Sequence, residues 1–259
     1  MIRRRDFPLL GSFVVREVQG NIRGSNLGWI WLFVSPILLL LVYTLVFGFI
    51  FDARAPQDLD VPFIAWLSVA LWPWLAFSDG ILRASGGLVK HSAVLSKVPV
   101  PAILFPFSSH AAAFLLHLGG YVVILICLSL FGIKLTLAGL PYVFLLLLAL
   151  YFFSLGLALV VATFQVWIRD VEVLLPTFLM LWFFLTPIIY APELLPDAAQ
   201  PWLALNPLTW WVGEIRAAVF EGKLLPDRLF FLLCLGSAAV LWSAVSVFQR
   251  LEPHFEDFL

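Results

Sequence analysis

The sequence predicts an all-α integral membrane protein with six transmembrane helices, an interfacial amphipathic helix before them, and re-entrant helices between the fifth and sixth spans. Composition is the first indication, because 63% of the 259 residues are hydrophobic and only 12% are charged. Soluble proteins contain about 25% charged residues. The second indication is a series of uncharged runs of about 20 residues, each long enough to cross a bilayer as a helix. The third is Thr186–Trp211, which is too rich in proline to span and too apolar for an exposed loop.

The chain opens with a basic segment, Arg3 to Arg5, and an amphipathic helix predicted over residues 7–25. Apolar residues recur there at helical spacing, whereas Arg16 and Arg23 lie largely off the apolar stripe. A helix this charged is expected to lie in the membrane interface rather than to cross the bilayer. A plain anchoring role and a functional role both stay open for it.

Six apolar runs follow the amphipathic helix. They predict spans at residues 29–51, 61–82, 103–131, 140–166, 173–190 and 229–248. Near the end of the second span, Asp79 and Arg83 are four residues apart and are predicted to pair on one helix face. That pairing favours a structural role over a functional one, although ionisable residues within membranes are often functional.

The third span carries two histidines, His110 and His117, which share a helix face. No neighbouring carboxylate or thiol completes a set of metal ligands, so packing or interhelical hydrogen bonding is favoured over a metal site or proton relay. The cysteines, Cys127 and Cys234, lie within apolar runs and are interpreted as small buried hydrophobic residues.

Of the five segments that separate the spans, two polar ones and one apolar broken one bear on function. Ala84–Pro101 is the longest polar interruption in the first half, and a charged turn carries Arg169 and Asp170. Residues 191–228 are predicted as an external re-entrant region in which Asn206 caps a short helix that begins near Pro207.

The distribution of basic residues predicts the topology. With the N-terminus in the cytoplasm, six spans return the C-terminus to the same side. Ten lysines and arginines then lie in cytoplasmic segments and five in external segments, as the positive-inside rule requires.

Recognised catalytic and nucleotide-binding motifs are missing from the sequence. The Gly222-Lys223 pair is followed by Leu224, so it is no Walker A loop, and neither H-E-x-x-H nor G-x-S-x-G occurs. The net charge of −1 gives no electrostatic field that would favour nucleic acid. Ion-driven carriers usually need carboxylates near the membrane midplane, and few occur here. The sequence therefore predicts a conduit with no catalytic, cofactor-binding or metal-binding residue, driven by energy from elsewhere.

Several motifs resemble one family when taken in order. They are SNLGWIWLFVSPILLLLVYTLVFGFIF (Ser25–Phe51), LWPWLAFSDGI (Leu71–Ile81), KHSAVLSKVPVPAILFP (Lys90–Pro106), FQVWIRDV (Phe164–Val171), the segment from Thr186 to Trp210, and the tail Phe248–Phe255. Together they resemble the membrane subunit of ABC-2 type exporters of the polysaccharide branch, which serves O-antigen, capsule or teichoic acid. One departure is Val98-Pro99-Val100, where relatives often carry Phe-Pro-Arg.

The resemblance implies a half-transporter that is not itself an enzyme, with residues 1–259 forming a single transmembrane domain in the cytoplasmic (inner) membrane. Two copies would form the pore, and two separate ATPase subunits would bind and hydrolyse ATP below it. The cargo would be a glycan on a lipid carrier, with export proteins on the periplasmic or outer-membrane side as further partners. The residues expected to couple to the ATPase are Arg16, Arg23, Leu88, Lys90, His91, Val94, Leu95 and Lys97, with Arg169 and Asp170 in the next cytoplasmic loop.

Aromatic side chains are the candidates for lining the translocation path. Ring faces stack on the C–H surfaces of sugars with few tight hydrogen bonds, so a polymer could slide along them. The candidates are Tyr43, Phe47, Phe51, Trp72, Trp74, Phe77, Trp182, Phe183 and Tyr190. Aromatic residues also form belts at the membrane interface, which is the alternative interpretation. An ABC-2 permease for a drug or lipid, and a stand-alone channel or membrane enzyme, stay open as other functions.

Overall fold

The computed structural model describes residues 7–23, 28–56, 59, 61–95, 100–198 and 200–257. These residues are predominantly helical and include no β-strand, so the predicted all-α fold is confirmed. The α-helices are α1 (Phe7–Arg23), α2 (Gly28–Tyr43), α3 (Phe63–Ser85), α4 (Gly87–Lys90), α5 (Ser92–Leu95), α6 (Leu104–Leu130), α7 (Leu140–Gln165), α8 (Val171–Phe184), α9 (Gln200–Leu205), α10 (Pro207–Arg216) and α11 (Arg228–Leu251). π-Helical turns at Thr44–Ile50 and Ala217–Glu221 extend α2 and α10, and 3-10 turns occupy Leu137–Gly139, Pro192–Leu194 and Glu252–Asp257.

Four described helices are long and apolar enough to cross a bilayer. They are Phe63–Ser85, Leu104–Leu130, Leu137–Gln165 and Arg228–Phe255, and they match the second, third, fourth and sixth predicted spans. The other two predicted spans contain the shorter apolar helices Val34–Ile50 and Val171–Phe184. Helix α8 has 14 residues and a length of about 21 Å, which is less than a hydrocarbon core of about 30 Å.

Helix α8 ends at Phe184, whereas the sequence predicts a span reaching Tyr190. Proline disfavours a helical conformation in the residue before it, and Pro187 here follows Thr186 directly. The chain accordingly turns at residues 185–188 instead of continuing as a helix.

The centre of the fold is α3, which packs against α2, α6, α7, α8 and α10. Its side chains are buried on every face, including Trp66, Trp72 and Phe77. A helix that is apolar all round is expected to be surrounded in this way.

Helices α7 and α11 approach closely at a glycine. A Cβ added at Gly156 would lie 2.9 Å from the Leu241 backbone nitrogen, so only glycine fits at this crossing. Small residues allow membrane helices to approach closely where the hydrophobic effect cannot drive their association.

The amphipathic helix α1 packs on the start of α6, where Phe13 stacks on Phe105 with ring centroids 5.3 Å apart. Much of its remaining surface is exposed, which is consistent with a helix lying along the interface.

Asn206 joins the end of α8 to the start of α10. Its Oδ1 accepts hydrogen bonds from Leu208 N at 3.1 Å and from Trp182 Nε1 at 3.0 Å. Its Nδ2 donates to Leu185 O at 3.1 Å and to Thr186 Oγ1 at 2.9 Å. The predicted cap at Asn206, with Pro207 as the first helical residue, is confirmed.

Arg216 holds the turn after α8 against the rest of the fold. Its guanidinium donates to Pro187 O and Ile188 O at 2.8 Å each and to Trp66 O at 3.2 Å, and it lies 3.3 Å from the Trp66 ring centroid. Arg216 is one of the five basic residues that the predicted topology places in external segments, but its side chain is buried in the structure. The arginine therefore satisfies carbonyl groups that the broken helix leaves without helical partners.

We expect Arg216→Met to lower the free energy of unfolding by about 3 kcal/mol, because the buried carbonyl groups of Pro187 and Ile188 lose their donors. The measurement is the thermal unfolding midpoint of the purified protein in detergent. Arg228→Met is the matched control, since Arg228 is exposed at the start of α11. Equal midpoints for the two variants would contradict the assigned role.

Candidate functional site

Aromatic rings from α2, its π-helical extension, α3 and α8 form a connected cluster. Phe51, Phe47 and Tyr43 follow one another with centroids 6.0 Å apart at each step. Tyr43 stacks on Phe183 at 5.3 Å, and Phe183 contacts Trp74 at 5.6 Å. Spacing of four residues places the first three rings on one helix face.

The cluster continues into the protein core. Trp74 contacts Phe77 at 5.5 Å, and Phe77 meets Trp182 edge to face at 5.3 Å. The predicted path residues thus come from three separate parts of the sequence, and eight of the nine lie in or beside this cluster or on the adjoining turn. The ninth, Trp72, faces α6, where a Cβ added at Gly120 would lie 2.6 Å from its Nε1.

Burial divides the predicted path residues into two groups. Trp72, Trp74, Phe77 and Phe183 are at most 8% exposed and lie inside the protomer. The other group, half-buried or exposed, consists of Tyr43, Phe47, Phe51, Trp182 and Tyr190. Of the nine, only this second group is accessible at the protomer surface in the conformation described.

The cavity beside the buried rings is too small for a sugar. It borders Trp74, Phe77, Thr186 and Trp211 and measures about 10 Å³. A single water molecule needs about that volume.

The polar loop after α3 forms two short helices, α4 and α5. Leu88 is fully buried in a cluster with residues of α7 and α11, and Leu95 packs against the same cluster. Lys90 is exposed, and the His91 ring stacks on Phe105 with centroids 4.9 Å apart. Among the other predicted coupling residues, Arg16 is exposed, only the backbone of Arg23 and Val94 is described, and Lys97 lies outside the described residues.

Glu17 connects this loop to α1 and was not singled out in the sequence. Its Oε2 lies 3.5 Å from Lys90 Nζ and its Oε1 lies 3.4 Å from His91 Nε2, with the carboxylate side chain 15% exposed. We call these three residues the Glu17 clamp. A signal was available in the sequence, because Glu17 is the one acidic residue of α1.

The ionisable residues of α3 and α6 make hydrogen bonds within the fold. Arg83 Nε donates to Asp79 Oδ2 at 2.7 Å, which confirms the predicted pair, and His117 Nε2 lies 3.1 Å from the same oxygen. His110 Nε2 lies 2.8 Å from Ser154 Oγ, so both histidines make interhelical hydrogen bonds as predicted. The described residues contain no group of His, Cys, Asp and Glu able to hold a metal.

Charged residues at the opposite end form a second network. Lys223 Nζ donates to Glu214 Oε1 and to Asp227 Oδ2 at 2.7 Å each, and Tyr142 Oη donates to Glu214 Oε2 at 2.6 Å. The hydrogen bond from Lys223 lowers the pKa of Asp227 below its ordinary value. Asp227 also caps α11 by accepting from Phe230 N at 3.1 Å, so this network fixes the link between α10 and α11.

Arg169 and Asp170 lie exposed in the turn between α7 and α8. The Asp170 carbonyl accepts from Val173 N and Leu174 N and so starts α8. This turn lies at the same end of the bundle as the Glu17 clamp, because Gln165 and Glu172 on either side of it line one cavity with Glu17.

Comparison with known proteins agrees with this architecture. The profile of the ABC-2 type transporter family matches residues 8–220. The chain is 30% identical over 257 residues to the O-antigen export system permease protein RfbA of Myxococcus xanthus, covering 96% of this chain and 94% of that protein. It is 22% identical to the protein of the same name from Klebsiella pneumoniae, covering 98% and 95%. It is 21% identical to the polysialic acid transport protein KpsM of Escherichia coli, covering 93% and 92%.

The family match covers far more than half of the chain and includes α2, α3, α8 and the turn that Arg216 holds. The relatives match over nearly their whole length. This protein therefore belongs to the ABC-2 type transporter family.

Proposed function

We propose that this protein is the permease half of an ATP-driven exporter that moves a lipid-linked polysaccharide, such as O-antigen or capsule, across the cytoplasmic membrane. The observation that carries the proposal is nearly end-to-end similarity to permeases named for O-antigen export and polysialic acid transport. These relatives favour a glycan over the drug, lipid and stand-alone channel alternatives.

The permease has six spans and both termini in the cytoplasm. Helix α2 with its π-helical turn forms the first span, and α8 forms a short fifth one. Exposed Leu194, Trp202 and Leu205 lie in the region that follows, where large apolar side chains fit the external membrane interface better than water. The short helices α9 and α10 are the re-entrant elements of this arrangement.

The translocation path lies between two copies of the chain. A single protomer encloses about 10 Å³ beside its aromatic cluster, which leaves no room for a sugar. The two helices that bear the cluster's exposed rings also carry unpaired apolar faces. These faces include Leu38, Leu41, Leu45 and Phe49 from α2 and its extension, and Val173, Leu174, Phe178 and Leu181 from α8.

Rings that are half-buried or exposed contact the glycan, and the buried rings keep them in place. Phe51 is 69% exposed at one end of the series, and Tyr43 is held by stacking on Phe183. Stacking on sugar faces is weak at each ring and repeats along the path, so the polymer is guided without being trapped.

Separate ATPase subunits act on α1, α4 and α5. The Glu17 clamp joins α1 to α4, while buried Leu88 ties α4 to α7 and α11. A push on either surface helix is therefore transmitted into the bundle.

The proposed function is tested by reconstituting the permease in vesicles together with a co-purified ATPase partner. We expect a lipid-linked glycan to cross the membrane with ATP and to stay on the original side with a non-hydrolysable analogue. Transport of the glycan by the permease alone, without ATPase or ATP, would contradict the proposal.

Phe51→Ala is expected to slow glycan export about fivefold, because one stacking contact of about 1 kcal/mol is lost from the path. The readout is export rate at constant ATP hydrolysis. Phe144→Ala is the control, since Phe144 is similarly exposed but lies on α7 outside the cluster. Equal rates for the two variants would remove Phe51 from the path.

Glu17→Gln is expected to reduce the glycan moved per ATP hydrolysed about threefold, because surface ion pairs contribute up to about 1 kcal/mol. ATP hydrolysis itself should continue. Glu221→Gln, on the exposed link after α10, is the matched control. An unchanged ratio of transport to hydrolysis in Glu17→Gln would show that the clamp does not transmit the ATPase motion.

A further inference from the structure

A polar cavity of about 400 Å³ lies where α1, the end of α3, α4, α6, the end of α7 and the start of α8 meet. Its walls carry the charged residues Glu17, Arg83, Lys90 and Glu172. In volume it greatly exceeds the space beside the aromatic cluster. Glu17 and Lys90 of its lining also belong to the Glu17 clamp, but the transport mechanism proposed above places no ligand in the cavity.

One wall of the cavity offers acceptors of hydrogen bonds. Gln165 lines it at 1% exposure, and its Oε1 has no hydrogen-bond partner among the described residues. Its Nε2 faces Glu172 Oε2 at 3.5 Å, an orientation expected because an amide N–H donates to a carboxylate. A buried acceptor without a partner is costly, so a donor from outside the chain is expected at this oxygen.

The other wall offers cationic donors. Lys90 has a side chain 67% exposed, and its contact with Glu17 is long at 3.5 Å. Arg83 pairs with Asp79 through Nε at 2.7 Å and borders the same cavity. Lysine and arginine are the usual partners of phosphate oxygens.

The hydrogen-bond acceptors on one wall and the cations on the other together indicate which class of ligand fits the cavity. A purely basic pocket would fit an anionic lipid headgroup, but Glu17 and Glu172 would repel a multiply charged anion here. A neutral sugar would form no ion pair with Lys90, whose contact with Glu17 is long at 3.5 Å. A ligand with an ammonium group and one phosphate diester satisfies both walls, because the ammonium N–H groups can donate to Gln165 Oε1 and Glu172.

The location indicates a membrane lipid as the source of this headgroup. The cavity lies where α3 and α7 end and α8 begins, beside α1, which is expected to lie in the membrane interface with the phospholipid headgroups. We propose that it binds the ethanolamine phosphate headgroup of a zwitterionic phospholipid, with the ammonium on Gln165 and Glu172 and the phosphate on Lys90 and Arg83. A bound lipid would bridge α4 to the start of α8, and this site is independent of the identity of the transported glycan.

The test uses three phospholipids with identical acyl chains added to the purified protein in detergent, followed by native mass spectrometry. We expect phosphatidylethanolamine to be retained about tenfold more than phosphatidylcholine, because the choline headgroup has no N–H donor for Gln165 Oε1. Phosphatidylglycerol tests whether the cavity instead prefers an anionic lipid headgroup. Equal retention of the ethanolamine and choline lipids, or preferential retention of phosphatidylglycerol, would overturn the proposal.

Two variants assign the binding to this cavity. Gln165→Leu removes the buried acceptor, and Glu172→Gln changes an exposed residue, so we expect this second variant to fold. Both should reduce retention of phosphatidylethanolamine to that of phosphatidylcholine, while the matched controls Gln249→Leu and Glu221→Gln, both at exposed sites, should not. A folded Glu172→Gln protein that keeps the full preference would place the lipid elsewhere.

A final experiment distinguishes a membrane lipid from a soluble compound as the ligand of the cavity. Soluble ethanolamine phosphate is added in excess, and the thermal midpoint of the protein is recorded. We expect a smaller stabilisation than with the lipid, whose acyl chains add apolar contact. Stabilisation by the soluble compound without retention of the lipid would assign the cavity to a free metabolite and overturn the lipid proposal.

Discussion

The buried guanidinium of Arg216 holds together the part of the fold that no regular helix can build. After Phe184 the chain turns, and the carbonyl groups of Pro187 and Ile188 point into the protein instead of along a helix. Unsatisfied carbonyl groups are costly in an apolar environment, and arginine offers several donors in one planar group. By also binding Trp66 O, Arg216 ties this turn to α3, the central helix of the bundle. The position of the end of α8, and with it the position of Trp182 and Tyr190, depends on that tie.

The aromatic cluster shows how a rigid interior can support an adaptable surface. Trp74, Phe77 and Phe183 are buried among neighbouring helices, whereas Phe51 at the other end is largely exposed. Close packing gives the buried rings defined positions, and these rings in turn orient Tyr43 and Trp182. The cavity beside them measures about 10 Å³, and this small volume supports the proposed route between two copies.

At the opposite end, polar contacts connect the surface helices to the bundle. The Glu17 clamp joins α1 to α4, and the cavity beside it is bordered by α3, α7 and α8 as well. Motion of α4 relative to α8 would change the shape of that cavity. A lipid bound there would therefore favour one arrangement of the coupling helices over another, since a ligand shifts an equilibrium by its difference in affinity between states.

Local sequence patterns determined the class of protein, the positions of most helices and the pairings that lie within one helix or cap. These features depend on residues that are close in the sequence. The four helices long and apolar enough to cross a bilayer, the Asp79–Arg83 pair and the cap at Asn206 were therefore predictable. Only the tertiary structure decided which aromatic rings are buried, because Phe51 and Phe77 have the same side chain and differ in their neighbours. It also turned Arg216 from an apparent loop charge into a buried anchor, and it joined Glu17 to Lys90 across 73 positions. Such contacts depend on where helices cross in space, and a span's own apolar pattern carries no information about its partner.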